Sequence, residues 1–406
     1  MTNSFKPRDA IEVEAAVKWA AAEKEPLELA GHNSKKVLGR PVQAGHFLSL
    51  DELSGITLYE PEELILSAKA GTPVSEIEKL LSDNGQEFAF EPMDPGPILG
   101  NEPGRGTLGG MVATNLSGPR RIKAGAVRDH ILGIEAVSGR GEIYKAGGRV
   151  VKNVTGYDLA RGLAGSWGTL SVLTDITFKV LPKAETEETL ALIGFGIRDA
   201  VKVMSDALGS SAEVSSAAYV PAESLSGRPL GGFDANGKSL TLLRLEGFGP
   251  SVEYRLDKLK DLFRGLGTIE RLNEATSRSL WREIRDVEPL AGDELSVLWK
   301  VSVAPTDAPR LIELMNGPPE MRYFCDLGGG LVWLRFNDGE PREDLVRDTI
   351  AKFGGHAMLM RAEAPLRTAL SVFQPQPKAL ADLTRRLKEQ FDPHGILNPG
   401  RMYPGV

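Results

Sequence analysis

Three segments carry residue types and spacings suited to binding an anion or a flat aromatic ring. Gly31-His32-Asn33-Ser34-Lys35 follows a short apolar run. Its consecutive N–H groups can nest a phosphate, with Lys35 as counter-charge. Thr107-Leu108-Gly109-Gly110-Met111-Val112-Ala113-Thr114-Asn115-Leu116-Ser117-Gly118 offers glycines that let backbone approach a ring or a pyrophosphate. Its Thr107, Asn115 and Ser117 add hydrogen-bond partners, and N–H groups at a helix start suit an anion. Gly162-Leu163-Ala164-Gly165-Ser166-Trp167-Gly168-Thr169-Leu170 enters a strand whose main chain could meet an adenine or another ring. Each has a plainer reading as well: an ordinary turn, a glycine-rich turn between helices, and a close-packed helix-to-strand connection.

Other chemistries are excluded. Gly104-Arg105-Gly106-Thr107-Leu108-Gly109 matches G-x-G-x-x-G, with Asp129 about twenty residues on. That fingerprint requires a strand immediately before it and an acid ending the second strand. Here a proline-rich loop precedes the motif and Asp129 opens a strand, so a nicotinamide dinucleotide site is rejected. The histidines, His32, His46, His130, His356 and His394, form no local metal pair. The single cysteine, Cys325, cannot build a disulfide, an iron–sulfur cluster or a cysteine-based zinc site, and reads as a core thiol. No nucleophile elbow or P-loop is present. The net charge of −7 argues against nucleic acid as a general partner. No run of about twenty apolar residues offers a transmembrane segment, and the N-terminus lacks a signal-peptide core.

The elements that must position these residues read as α+β. A helix is expected over 7–24, opened by Pro7, then strands at Leu27–Ala30, Leu48–Leu50, Gly55–Glu60 and Leu64–Gly71. Ser75 is expected to cap a helix running to about Asn84, with Glu78 three residues on. Residues 91–106 read as a rigid proline–glycine loop, 108–115 as a helix, and 131–137 and 170–180 as strands. A polar hinge follows at 183–188. Beyond it, two strand–helix–strand passes suggest a ferredoxin-like antiparallel arrangement. Pro375–Gln390 reads as a final amphipathic helix, with Leu380, Leu383 and Leu387 at helical spacing.

Taken together, seven motifs in order resemble the vanillyl-alcohol oxidase / p-cresol methylhydroxylase (PCMH) type of FAD-binding superfamily. They are the 30–35 loop, Ala68–Ile77, 107–118, Gly125–Gly133, Val151–Leu159, 165–174 and Asn398-Pro399-Gly400-Arg401. Within it the chain is most similar to the family of FAD-binding E subunits of bacterial glycolate oxidase (glycolate dehydrogenase). The resemblance is dense over 27–182 and 373–403. It implies a two-subdomain PCMH-type FAD-binding domain over 1–183, a ferredoxin-like antiparallel α/β cap over 184–372, and a helix and tail over 373–406 returning to the flavin.

By that resemblance Gly31, His32, Asn33, Ser34 and Lys35 hold the pyrophosphate. Thr107, Leu108, Gly109, Gly110, Thr114, Ser117 and Gly118 line flavin and pyrophosphate, supported by Arg128 and Asp129. Gly168, Val172 and Thr174 meet the adenine side, and Asn398 returns to the ring. Some members tether FAD through a histidine near the place of His32. The loop here departs from their Gly-Gly-His pattern, so non-covalent FAD is expected.

A second departure concerns catalysis. Relatives that oxidise 2-hydroxy acids carry cap histidines around a Gly-Asp-Gly-Asn core, which bind a metal and serve as base. This chain has only His356, in Gly354-Gly355-His356-Ala357. Oxidising glycolate needs a group to take the hydroxyl proton and a cation for the carboxylate. Arg335 and Arg361 are the candidates for the cation, each with the alternative of a salt-bridged or surface arginine, and no base or metal set is visible. The resemblance implies an FAD subunit of a complex that oxidises glycolate to glyoxylate, with a homologous D-type FAD subunit and an iron–sulfur subunit as partners. The implied location is cytoplasmic, docked through those partners at the inner membrane. The alternatives are a flavin-holding assembly subunit without turnover and a stand-alone FAD-dependent alcohol or 2-hydroxy-acid dehydrogenase.

Overall fold

The computed structural model describes residues 4–149, 156–293, 295–315 and 321–406. Most of the Val151–Leu159 motif, residues 151–155, lies outside them.

Two small sheets build the N-terminal part. Ser4–Phe5, His46–Ser49 and Leu27–Ala30 form a three-stranded parallel sheet. Ile56–Glu60, Ile65–Lys69, Ser171–Lys179, Ile131–Ser138 and Ile143–Gly147 form a five-stranded antiparallel sheet in that spatial order. The first helix is Ala10–Glu23, and Asp9 caps it by accepting from Glu12 N, so it starts later than Pro7. Of the apolar face expected from helical spacing it buries Val13, Ala16, Val17 and Ala20, but it leaves Ile11 exposed, because Ile11 lies at the edge of that stripe. A shared core joins these elements through Leu48, Leu66, Phe90 and Phe178.

Three local expectations are corrected. The second helix is Val74–Asp83 with Pro73 at its cap position, so Ser75 lies inside it and no capping box forms. The 91–106 loop contains a one-turn helix, Gly96–Leu99. The hinge is shorter than expected: Leu181–Pro182 pairs with Gln86–Glu87, and the next strand already begins at Thr186.

The following sheet has eight antiparallel strands in the order 268–272, 186–193, 240–247, 216–220, 321–326, 331–336, 297–302, 356–361. Read along the chain, it is two βαββαβ units, each with its fourth strand outside its first. Their second strands meet at Tyr219 and Cys325. Two edges that would each be open are thereby closed against one another. The strands Thr268–Leu272 and His356–Arg361 and the helix Glu274–Arg285 were not foreseen. Cys325 is fully buried in this sheet, and desolvation raises its thiol pKa.

A buried ion network joins the sheet to the N-terminal part. Glu91 grips Arg244 with both carboxylate oxygens, at 2.7 and 2.7 Å, and accepts Arg120 N at 2.9 Å. Arg120 reaches Glu87 and Glu246. Arg244 also lies 4.8 Å over the Trp281 ring. Bidentate geometry and several partners are what a buried charge needs to offset its desolvation.

The chain then returns. Lys378–Phe391 is the last helix, and the tail after it adds a parallel bridge, Leu27 to Leu397.

Candidate functional site

A groove runs along the end of the Leu27–Ala30 strand, in two overlapping lobes of about 550 and 530 Å³. Thr107 caps the helix Leu108–Thr114 by accepting from Gly110 N, which presents the first turn to the groove. Gly31 packs directly on this cap: a Cβ there would lie 2.4 Å from Thr107 Oγ1. Only glycine permits that approach of strand end to helix start.

The floor is made by the returning tail. Asn398 accepts from Leu29 N at 2.8 Å and donates through Nδ2 to Trp167 O at 2.9 Å. Asn398 N donates to Leu27 O at 3.0 Å. Behind it, Lys388 Nζ donates to Thr169 O at 2.6 Å, Leu397 O at 2.9 Å and Asp392 at 2.7 Å. Asp392 also accepts Ile396 N and Leu397 N. One buried ammonium with three acceptors thus fixes the tail against the Ser166–Thr169 turn.

The phosphate-type loop is held from outside by arginines. Arg401 donates to Lys35 O at 3.0 Å, Lys36 O at 3.3 Å and Arg40 O at 3.3 Å, and Arg367 to Gly39 O at 2.9 Å. Burial lowers the pKa of Arg401 to about 10. Its hydrogen-bond acceptors are all carbonyls, and the Glu28 carboxylate opposes the effect of burial. Lys35 is the second cation. Its Nζ lies 3.3 Å from where a Cβ on Gly106 would stand. Burial lowers its pKa to about 8, with Asp94 opposing. Among the described residues its ammonium has no hydrogen-bond or ion-pair partner. Two enclosed cations, a capped helix start and a glycine-lined wall fit a pyrophosphate joined to flat rings.

Of the residues expected at the cofactor, Gly31, His32, Asn33, Ser34, Lys35, Thr107, Gly109, Gly110, Thr114, Gly168, Val172 and Asn398 line this groove. The others do not. Leu108 is fully buried in the core. Ser117 accepts Val127 N at 3.1 Å, and Gly118 packs on Glu91 and Arg285. Arg128 is exposed, and Asp129 accepts Ala126 N to cap a short helix. Thr174 donates to Glu135 at 3.0 Å. Leu108, Ser117, Gly118 and Thr174 turn away from the groove and support its wall from behind, whereas Arg128 and Asp129 lie at the surface. Trp167, Ala113 and Arg401 line the groove and were not singled out. Arg401 stood in the Asn-Pro-Gly-Arg motif, which was the available signal.

The two candidate cations for a substrate carboxylate are elsewhere. Arg361 spends its guanidinium on Ser296 O at 2.8 Å, Ile98 O at 2.6 Å and Ser296 Oγ. Arg335 donates to Ala291 O. Neither lines the groove, and both act as ties between loops and the eight-stranded sheet. A different polar set was missed on that sheet. Lys300, in Val297–Ser302, has its Nζ 5.8 Å from the Trp333 ring centre. Burial lowers its pKa to about 8, with Arg121 adding and Asp326 opposing. Burial pushes Asp326 up to about 7. Burial lowers His356, helped by Lys300 and Arg121. Among the described residues no group of three His, Cys, Asp or Glu could hold a metal. No helix of the described residues is long and apolar enough to cross a membrane.

Comparison with known proteins identifies the family. Residues 4–147 match a family model described as FAD binding domain. The chain is 35% identical to the glycolate oxidase subunit GlcE of Escherichia coli (strain K12) over 387 residues, covering 95% of each chain. It is 23% identical to the glycolate oxidase subunit GlcD of Bacillus subtilis (strain 168), over 98% of this chain and 88% of that one. A solved alkyldihydroxyacetonephosphate synthase superposes with a TM-score of 0.71 at 16% identity, over 98% of this chain and 75% of that one, which shows a shared fold. The chain belongs to the FAD-linked oxidoreductase family that includes the glycolate oxidase subunit GlcE, and its cofactor is FAD.

Proposed function

We propose that this chain is the E-type FAD subunit of a glycolate (2-hydroxy acid) oxidase or dehydrogenase complex, in which glycolate becomes glyoxylate. The observation that carries this is full-length similarity to GlcE, 95% of both chains, together with an intact groove. Bound FAD supplies a hydride acceptor. Lys35 and Arg401 supply positive charge for its pyrophosphate, and the Gly31–Lys35 loop and the 107–114 helix start orient it. Residues 1–183 hold the cofactor, 184–372 cover it, and 373–406 close the floor. The D-type subunit carries most of the substrate chemistry, and an iron–sulfur subunit takes the electrons. Its place is the cytoplasmic side of the membrane, reached through those partners.

A second reading is a dehydrogenase acting alone. Its support is the set of electrostatically linked groups on the eight-stranded sheet, Lys300 with His356 and with Asp326, none of which lines the groove.

One experiment separates the two. Glycolate is added anaerobically to the purified chain and to the co-purified complex, and flavin absorbance is followed. Bleaching of this chain's flavin only in the complex is expected. Bleaching at catalytic rates by the lone chain defeats the subunit reading. A colourless protein that takes up no added FAD defeats both.

A further inference from the structure

Glu78 is the acid expected to close a capping box with Ser75, and the helix Val74–Asp83 leaves it free of that task. Its carboxylate makes no hydrogen bond among the described residues. Its ion pair with Arg285 Nη1 is long, at 4.0 Å. It stands instead where two cavities meet. A cavity of about 410 Å³ adjoins the cofactor groove, and Lys35 lines both. A second, of about 1100 Å³, lies against the helix Glu274–Arg285 and opens to solvent beside the exposed Arg282. Glu78, Pro92 and Arg285 line the two cavities in common. The three spaces thus adjoin in series, from solvent past Glu78 to the groove.

These walls carry the two groups that oxidation of a hydroxy acid needs, a cation and a base. Arg285 is spent: its Nε and Nη2 hold both oxygens of Asp286, at 2.8 and 2.7 Å. Asp286 in turn accepts Asp94 N at 2.9 Å, which fixes the end of that helix to the 91–106 loop. Arg282 faces the larger cavity together with Glu78, and its guanidinium makes no hydrogen bond or ion pair among the described residues. A free guanidinium matches a carboxylate in charge and shape. Desolvation raises the Glu78 pKa; Arg285 opposes, Asp286 and Asp94 add, and Arg282 opposes. Glu87 lines the larger cavity as well, and Lys35 the smaller. A carboxylate that holds a proton more tightly than usual is the better acceptor near neutral pH.

We propose that Glu78 is the proton acceptor, and Arg282 the carboxylate anchor, for a small 2-hydroxy acid bound in this chain. The inference rests on the hydroxy-acid reading above and gives this chain a share of the substrate chemistry. In the step, the C2–H and O–H bonds break and a C=O bond forms. The hydride carries two electrons to the flavin, and the proton goes to a carboxylate oxygen of Glu78. The open cavity then lets Glu78 return that proton to water.

The test uses the FAD-loaded chain and the co-purified complex, with Glu78→Gln and Arg282→Met. Glu76→Gln, at an exposed acid on the same helix outside both cavities, is the control. Calorimetry measures binding of glyoxylate, the product, to the chain. Arg282→Met should bind it about tenfold more weakly, while Glu78→Gln binds as wild type does. Anaerobic mixing of the complex with glycolate then follows reduction of this chain's flavin, which Glu78→Gln should slow about 100-fold or more. In wild type the rate should fall as pH drops through the Glu78 pKa, because only the ionised carboxylate accepts a proton. Glu78→Gln should lose that acid limb, and the control should keep it. FAD content and Tm equal to wild type show that the variants fold. Glu78→Gln as fast as wild type with the same acid limb would overturn the assignment and leave the subunit reading standing. So would a chain that binds no glyoxylate, or Arg282→Met that binds it as wild type does. A wild-type complex that glycolate does not reduce would overturn both.

Discussion

Gly168 and Asn398 meet at the floor of the groove, 230 positions apart in the chain. A Cβ on Gly168 would stand 2.8 Å from Asn398 Nδ2. Gly168 also has φ +71°, a conformation that costs any other residue about 1 kcal/mol or more. The turn and the tail therefore constrain each other, and the floor of the groove exists only when both are in place.

Gly168→Ala and Asn398→Ala should each cost stability, the latter about 1–3 kcal/mol because Leu29 N and Trp167 O lose a buried partner. Both should release FAD more readily. Fluorescence titration with FAD measures this, and unchanged affinity in both would show that the floor does not bear on the cofactor.

FAD affinity should depend on pH through Lys35. Its pKa of about 8 without cofactor means the ammonium is present below pH 8 and lost above it. An anionic ligand binds the charged form better, so affinity should fall as pH rises through 8, by up to about tenfold per unit. Lys35→Met should bind FAD more weakly at pH 7 and show a flat profile from 8 to 10.

The clasp between Glu91 and Arg244 predicts acid sensitivity. Burial would raise the Glu91 carboxyl, but Arg244 and then Arg120 outweigh it and hold it at about 2. A folded-state pKa below the ordinary 4.5 adds stability above pH 4.5 that is lost as pH falls toward 2. Glu91→Ala should cost about 3–5 kcal/mol at pH 7, since it leaves buried arginine charge uncompensated. Urea unfolding from pH 7 to 3 should show a smaller slope with pH in the variant.

Arg361→Met and Arg335→Gln should lower Tm without changing KM for glycolate in the assembled enzyme. Their donors go to Ser296, Ile98 and Ala291, away from the groove. A tenfold rise in KM at unchanged Tm would return either arginine to the substrate.

Non-covalent binding by the His32 loop predicts that acid precipitation leaves the yellow colour in the supernatant. Colour retained in the pellet would indicate a covalent link.

The sequence by itself determined the local features. The glycine clusters and the Asn-Pro-Gly-Arg tail marked the Gly31–Lys35 loop, the 107–118 segment and Asn398 as candidates, the family resemblance joined them, and the fold brings residues of all three to one groove. Hydrophobic periodicity likewise placed the first helix and most strands of the N-terminal part, because spacing decides which face is buried. The edge strand Thr268–Leu272 was not legible, since its polar residues show no strand pattern and only pairing with Thr186–Ile193 makes it one. Tertiary structure alone decided which motif residues face the groove, sending Ser117 and Thr174 behind its wall and leaving Asp129 at the surface. It also decided the fate of the arginines: each guanidinium binds whatever acceptors the fold brings near, and sequence does not record those. The last helix shows the same limit most sharply. Its leucine spacing foretold a buried face, but three acceptors gathered from Thr169, Asp392 and Leu397 hold Lys388 inside instead.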